Sequence, residues 1–184
     1  VGISGKKGSG KTTVGMFLVE HLEWAEHVDF ADELKRLCQV AYGADHRQVY
    51  GTEEEKNTVI AGCGLTGRQL MQRLGSTMRA IWPDCWIHAW ERTVMEKIAT
   101  YGAVPIIACD VRYHNEVQAI HRLGGIVIRL TRAPHVDEHE SETGLDDLHL
   151  CDPESGLYFD EVIQNDGMTV DEANRTALRL CREA

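Results

Sequence analysis

Gly5-Lys6-Lys7-Gly8-Ser9-Gly10-Lys11-Thr12 fills every fixed position of the pattern G-x-x-x-x-G-K-[ST]. The chemistry of that pattern is anion binding. Its glycines let the backbone bend until successive N–H groups converge on phosphate oxygens. The positive end of the helix that follows faces the same charge. At this spacing Lys11 is expected to reach the β- and γ-phosphates of a nucleoside triphosphate, and Thr12 to ligate Mg²⁺. Gly8, Ser9, Gly10, Lys11, Thr12 and Thr13 are therefore the candidate triphosphate-binding residues.

A second carboxylate near the metal is expected at the end of a neighbouring strand. Asp110 follows the apolar run Val104 to Cys109 and is the candidate, acting on Mg²⁺ directly or through water. The competing role is a cap for the turn that follows; its place at a strand's carboxyl end favours the metal. Transfer of a phosphoryl group also needs cations around the moving oxygens, and a guanidinium grips phosphate in two places. Arg112 lies two residues after Asp110. Arg68 opens a helix, Arg129 and Arg132 close a strand, and Lys35 follows Phe30-Ala31-Asp32-Glu33-Leu34.

Elements that position these residues alternate along the chain. Val1 to Ser4 reads as the end of a strand, and a helix is expected over Lys11 to His21. A short strand over Val28 to Ala31 and a helix over Glu33 to Tyr42 follow. The polar stretch Gly43 to Gly64 reads as a loop with one short helix. Thr66 is placed to cap a helix carrying Leu70, Leu74, Met78 and Ile81 on one face. Pro83-Asp84 ends it, and another helix runs from Cys85 to Thr100. Val104 to Cys109 is a continuous apolar run, as in a strand buried on both faces. A helix over Asn115 to Leu123, a strand over Ile126 to Thr131 and a short strand over Glu161 to Gln164 come next. Thr169 and Glu172 are spaced as a capping box for a final helix to Arg182. This alternation predicts an α/β domain with a mostly parallel sheet. Ala133 to Glu154 holds no Lys or Arg and reads as an excursion from the domain.

The 184 residues suffice for one domain, 43% of them are hydrophobic, and the formal net charge is −10. So acidic a chain is a poor partner for nucleic acid polymers or anionic membranes. No apolar run is long enough to span a bilayer, and the six cysteines form no C-x-x-C pair. Reduced thiols and a cytoplasmic location are expected, and a homodimer is left open. The four tryptophans are expected in the core or at an interface, with Trp86 and Trp90 sharing a helical face that packs into the core.

Behind the P-loop, five phrases occur in order: Phe30 to Lys35, Thr66-Gly67-Arg68-Gln69-Leu70-Met71-Gln72-Arg73-Leu74-Gly75, Asp110-Val111-Arg112-Tyr113-His114-Asn115-Glu116, His139 to Glu142, and Asn165-Asp166-Gly167. Together they resemble the deoxynucleoside monophosphate kinases of tailed bacteriophages, within the wider nucleoside monophosphate kinase group. The resemblance implies a P-loop three-layer sandwich whose five-stranded parallel sheet is flanked by helices. It implies an acceptor-binding insertion over about 43–100 and a lid over about 133–157. It implies ATP, Mg²⁺ and a deoxynucleoside monophosphate as acceptor. Carried over, Arg68 and Arg112 hold the acceptor phosphate, Gln72 faces its base, and Lys35 approaches the acceptor. Arg132 begins the lid and acts with Lys11, Asp110 and Arg112 in transfer, while Asn165 and Gly167 lie near the adenine of ATP. Kinases of phosphomevalonate or dephospho-coenzyme A share parts of this pattern. A nucleotide-hydrolysing switch is the reading from another class, and the chain has no N-K-x-D motif to support it.

Overall fold

The computed structural model describes residues 1–134, 143–148 and 157–183. The chain divides into two compact units, 1–30 with 91–184 and 31–90.

The first unit is built on five strands: β1 (Gly2–Gly5), β2 (Glu26–His27), β3 (Ile106–Val111), β4 (Val127–Leu130) and β5 (Glu161–Ile163). They lie in the order β2-β3-β1-β4-β5, and every pairing is parallel. Side chains alternate across the pleat, so the two faces of β1 meet different helices. Ile3 packs with Val14 and Leu18 of α1 (Lys11–His21) and with Ala173, Ala177 and Leu180 of α8 (Val170–Glu183). Gly2 faces the other way, where a Cβ would lie 2.4 Å from Ile120 Cδ1 of α7 (His114–Arg122). The sheet is thus sandwiched between helical layers, the α/β fold of P-loop kinases.

The second unit holds α2 (Asp32–Tyr42), α3 (His46–Tyr50), α4 (Glu53–Lys56) and α5 (Gly67–Ile81). Its core gathers Leu34, Cys38, Val49, Ile60, Leu70 and Trp86. Thr66 caps α5 by accepting the Gln69 N–H, while Gln69 reaches back to the Thr66 N–H. Helix α6 (Cys85–Tyr101) carries the chain out of this unit.

Several boundaries differ from expectation. The stretch 43–64 contains two short helices, α3 and α4, each opened by a capping box at Asp45 or Thr52. β3 begins two residues later than the apolar run suggested, because Pro105 has no N–H to give a strand ladder. β3 also runs on to Val111, so Asp110 lies inside it rather than after it. β2 occupies Glu26–His27 instead of Val28 to Ala31; just beyond it, the Asp29 carboxylate replaces a backbone partner by accepting the Cys109 N–H. Trp86 and Trp90 are buried, whereas Trp24 is 77% exposed and Trp82 48%. Ile81, expected on one apolar face with Leu70, Leu74 and Met78, is exposed, and so is Ile98 on α6. Cys38, Cys63, Cys85, Cys109 and Cys181 are free thiols. No described helix is long and apolar enough to cross a membrane.

Candidate active site

The P-loop joins β1 to α1. Gly5, Gly8 and Gly10 all have positive φ, at 152°, 76° and 100°. Lys11 is 8% exposed, and its ammonium donates to the carbonyls of Gly5 at 2.6 Å and Lys6 at 2.8 Å. Thr12 and Thr13 are exposed on the first turn of α1. Ser9 is 1% exposed, and its hydroxyl has no hydrogen-bond partner among the described residues. Burying an unpaired hydroxyl is costly, and an anion in the cradle would relieve it. Left-handed glycines, an inward-held lysine and an orphaned hydroxyl together fit a bound polyphosphate.

Two side chains from distant sequence brace this loop. Asn165 follows β5; its Nδ2 donates to the Ser9 carbonyl at 2.8 Å and its Oδ1 accepts the Arg132 N–H at 2.9 Å. The Arg132 guanidinium donates to the Gly8 carbonyl at 3.0 Å. Arg129 on β4 donates to the Ser4 hydroxyl at 2.9 Å and lies over the Phe159 ring. Asp146 pairs with Lys6 and approaches Arg129 at 3.5 Å. Asp146 is not legible as a site residue in the sequence, because its partners stand far away along the chain. Beside the P-loop, Ser9, Gly10, Thr13 and Val14 line a cavity whose other wall includes Asn165, Met168, Val170 and Asn174.

The carboxyl ends of β2 and β3 hold the acidic side chains. Asp110 Oδ1 accepts the Phe30 N–H at 2.9 Å. His27 Nε2, an Asp29 oxygen and the Cys109 sulfur lie within 4.8 Å of one another, and Asp29 and His27 are paired at 3.0 Å. Arg112 is half-buried, and its N–H donates to Glu116 Oε2 at 2.6 Å. Glu116 is 2% exposed and also accepts the Tyr113 N–H. That buried carboxylate fixes the turn from which Arg112 projects.

In the 31–90 unit, Arg68 pairs with Glu53, while its buried Nε–H has no partner among the described residues. Gln72 stands one turn further along α5 and is half-buried. Lys35 lies 3.2 Å from Asp32 and over the Tyr50 ring at 4.7 Å. Of the expected lid, 135–142 and 149–156 lie outside the described residues, His139 among them.

No protein-family model matches the chain. A protein of Acanthamoeba polyphaga mimivirus described as "Putative deoxynucleotide monophosphate kinase" is 32% identical to it over 168 residues, which cover 83% of this chain and 84% of the viral one.

Proposed function

The chain belongs to the deoxynucleotide monophosphate kinase family, and we propose that it transfers the γ-phosphoryl group of ATP to a deoxynucleoside monophosphate, giving the diphosphate and ADP. It would do so as a cytoplasmic enzyme of the bacteriophage type. The observation that carries this reading is the cradle of Gly5 to Thr12, with Lys11 held inside it and the Ser9 hydroxyl left without a partner.

In the proposed reaction an acceptor phosphate oxygen bonds to the γ-phosphorus, and the bond from that phosphorus to the β–γ bridging oxygen breaks. The nucleophile is already anionic near neutral pH, so no strong base is needed. Positioning and charge stabilisation then supply most of the rate. Gly8 to Thr13 bind the donor phosphates, with Lys11 stabilising charge on the oxygens in flight. Thr12 and Asp110 would hold Mg²⁺, whose chemistry is to neutralise the phosphate charge. Arg112 and Arg132 supply further positive charge. Asn165 keeps the loop in shape through the Ser9 carbonyl, and Gly167 stays on the donor side. Arg68, whose Nε–H has no partner among the described residues, would grip the acceptor phosphate, with Lys35 nearby in role and Gln72 reading the base. The net charge of −10 favours small nucleotides over nucleic acid polymers as partners.

A coupled ADP-release assay with ATP, Mg²⁺ and each deoxynucleoside and ribonucleoside monophosphate tests the reading. ADP formation that depends on one or more deoxynucleotides is expected. ADP formed equally fast without any acceptor would sink the kinase reading. Silence across the panel would move the acceptor to another class of phosphorylated small molecule.

A further inference from the structure

We infer that Asn174 selects the base of the donor nucleotide, favouring adenine over guanine and hypoxanthine. The inference rests on the donor phosphates lying in the P-loop, as proposed above, and it adds a specificity residue that the sequence did not suggest.

Three observations carry it. Asn174 is 7% exposed, and its carboxamide oxygen is buried without a hydrogen-bond partner among the described residues. It stands on α8 among Ala173, Ala177 and Leu180, where an apolar residue would satisfy packing without that penalty. It also lines the cavity that begins at Ser9, Gly10 and Thr13. A nucleotide with its phosphates on those P-loop residues has its base within reach of the cavity. Met168 and Val170 on the cavity wall are 38% and 59% exposed, and apolar side chains suit the flat face of a purine.

The edge chemistry decides which purine. A carboxamide offers one acceptor and one two-proton donor side by side. On its N7 edge adenine presents the complement, an amino donor next to a ring-nitrogen acceptor, which is why Asn pairs with it in two places. Guanine and hypoxanthine carry a carbonyl oxygen where adenine has its amino group. Against Asn174 that replaces a donor with a second acceptor and leaves the carboxamide oxygen unpaired. Asn165 cannot serve the same purpose, because both ends of its amide are engaged by Ser9 and the Arg132 backbone.

Equilibrium binding of ATP, inosine triphosphate and purine riboside triphosphate to the full chain tests this without any acceptor present. The wild-type protein is expected to bind ATP about tenfold or more tightly than either analogue, the ratio set by one discriminating hydrogen bond. In Asn174→Ala the ratio should fall to within about twofold, chiefly through weaker ATP binding. Asn174→Asp, which keeps an oxygen acceptor, should retain part of the preference for the amino group. Equal wild-type affinity for ATP and purine riboside triphosphate would overturn the inference, and that comparison needs no variant to fold. An unchanged ratio in a folded Asn174→Ala protein would overturn it as well. Failure of every triphosphate to bind, inorganic tripolyphosphate included, would overturn it together with the donor site. Base preference without transfer to any monophosphate would uphold the role of Asn174 and reject the nucleoside monophosphate acceptor alone.

Discussion

Asp29 and Asp110 clasp the ends of two strands reciprocally: Asp29 Oδ1 accepts the Cys109 N–H at 2.7 Å, and Asp110 Oδ1 accepts the Phe30 N–H at 2.9 Å. Each carboxylate thus takes the backbone donor that stands next to the other. Beyond Glu26–His27 the β2–β3 ladder continues through the Val28 N–H to the Ile107 carbonyl. After that, side chains do the work of a strand. The clasp fixes where Asp110 stands near the carboxyl end of β3.

Asp29→Ala is expected to lower stability by about 1.5–3 kcal/mol, the range for a hydrogen bond to a charged group. Urea unfolding followed by circular dichroism reads that loss. Asp110→Asn makes the complementary test, since an amide oxygen still accepts the Phe30 N–H. Stability should then be nearly unchanged. If Asp110 serves Mg²⁺, turnover falls by about tenfold or more, the equivalent of losing about 1.4 kcal/mol of transition-state stabilisation. Normal turnover in that variant would leave Asp110 a purely structural role.

Lys11 is held inside its loop by the carbonyls of Gly5 and Lys6. A bound polyphosphate offers its ammonium stronger, charged acceptors in their place. Lys11→Ala should leave the far-ultraviolet dichroism spectrum intact and cut kcat by about 10²–10³-fold, as when one charge-stabilising donor is removed from an active site. Near-normal transfer by a folded Lys11→Ala protein would remove the P-loop lysine from the chemistry.

Arg68 offers a separable test, because it lies in the 31–90 unit, away in sequence from every P-loop residue. Arg68→Ala should raise the acceptor KM by about tenfold or more, the scale of one charge-assisted hydrogen bond, and change the ATP KM little. Arg68→Lys should rescue poorly, since an ammonium lacks the two-pronged geometry of guanidinium. A rise confined to the ATP KM would take Arg68 out of the acceptor site.

What could be read from the sequence followed the distance between partners. The P-loop is a signal eight residues long, and the caps at Thr66 and Thr169 each involve a partner three residues on. The parallel sheet was legible because strands buried on both faces are continuously apolar. Asp146 was not, since its partners Lys6 and Arg129 are brought to it only by folding. Glu116 looked like an ordinary helix residue, yet it is buried and anchors the Arg112 and Tyr113 amides. Asn174 was hidden in the same way, as one polar letter in an amphipathic helix. Strand ends were misjudged where a side chain or Pro105 interrupts the backbone ladder, because hydrophobicity reports burial and not hydrogen bonding.

The capping box of α8 makes stability depend on pH in a defined direction. Glu172 accepts the Thr169 N–H and hydroxyl, both at 2.8 Å, and the Thr169 hydroxyl in turn accepts the Glu172 N–H at 3.2 Å. The bond from the Thr169 backbone, and then that from its side chain, hold the Glu172 carboxyl below its ordinary value of 4.5. A group whose pKa is lowered by folding stabilises the fold above its unfolded pKa, and the effect disappears as pH falls through the folded one. The wild-type protein should therefore be more stable than Glu172→Ala by a constant margin from pH 8 down to about pH 5. Below that the margin should narrow as the carboxylate takes up its proton. Urea unfolding of both proteins across this range measures the difference and cancels titrations they share. Thr169 and Val170 also line the cavity beside the P-loop, so a frayed first turn should weaken nucleoside triphosphate binding along with the fold. A margin that stays the same at every pH would show that Glu172 acts through helix propensity rather than through its charge at the cap.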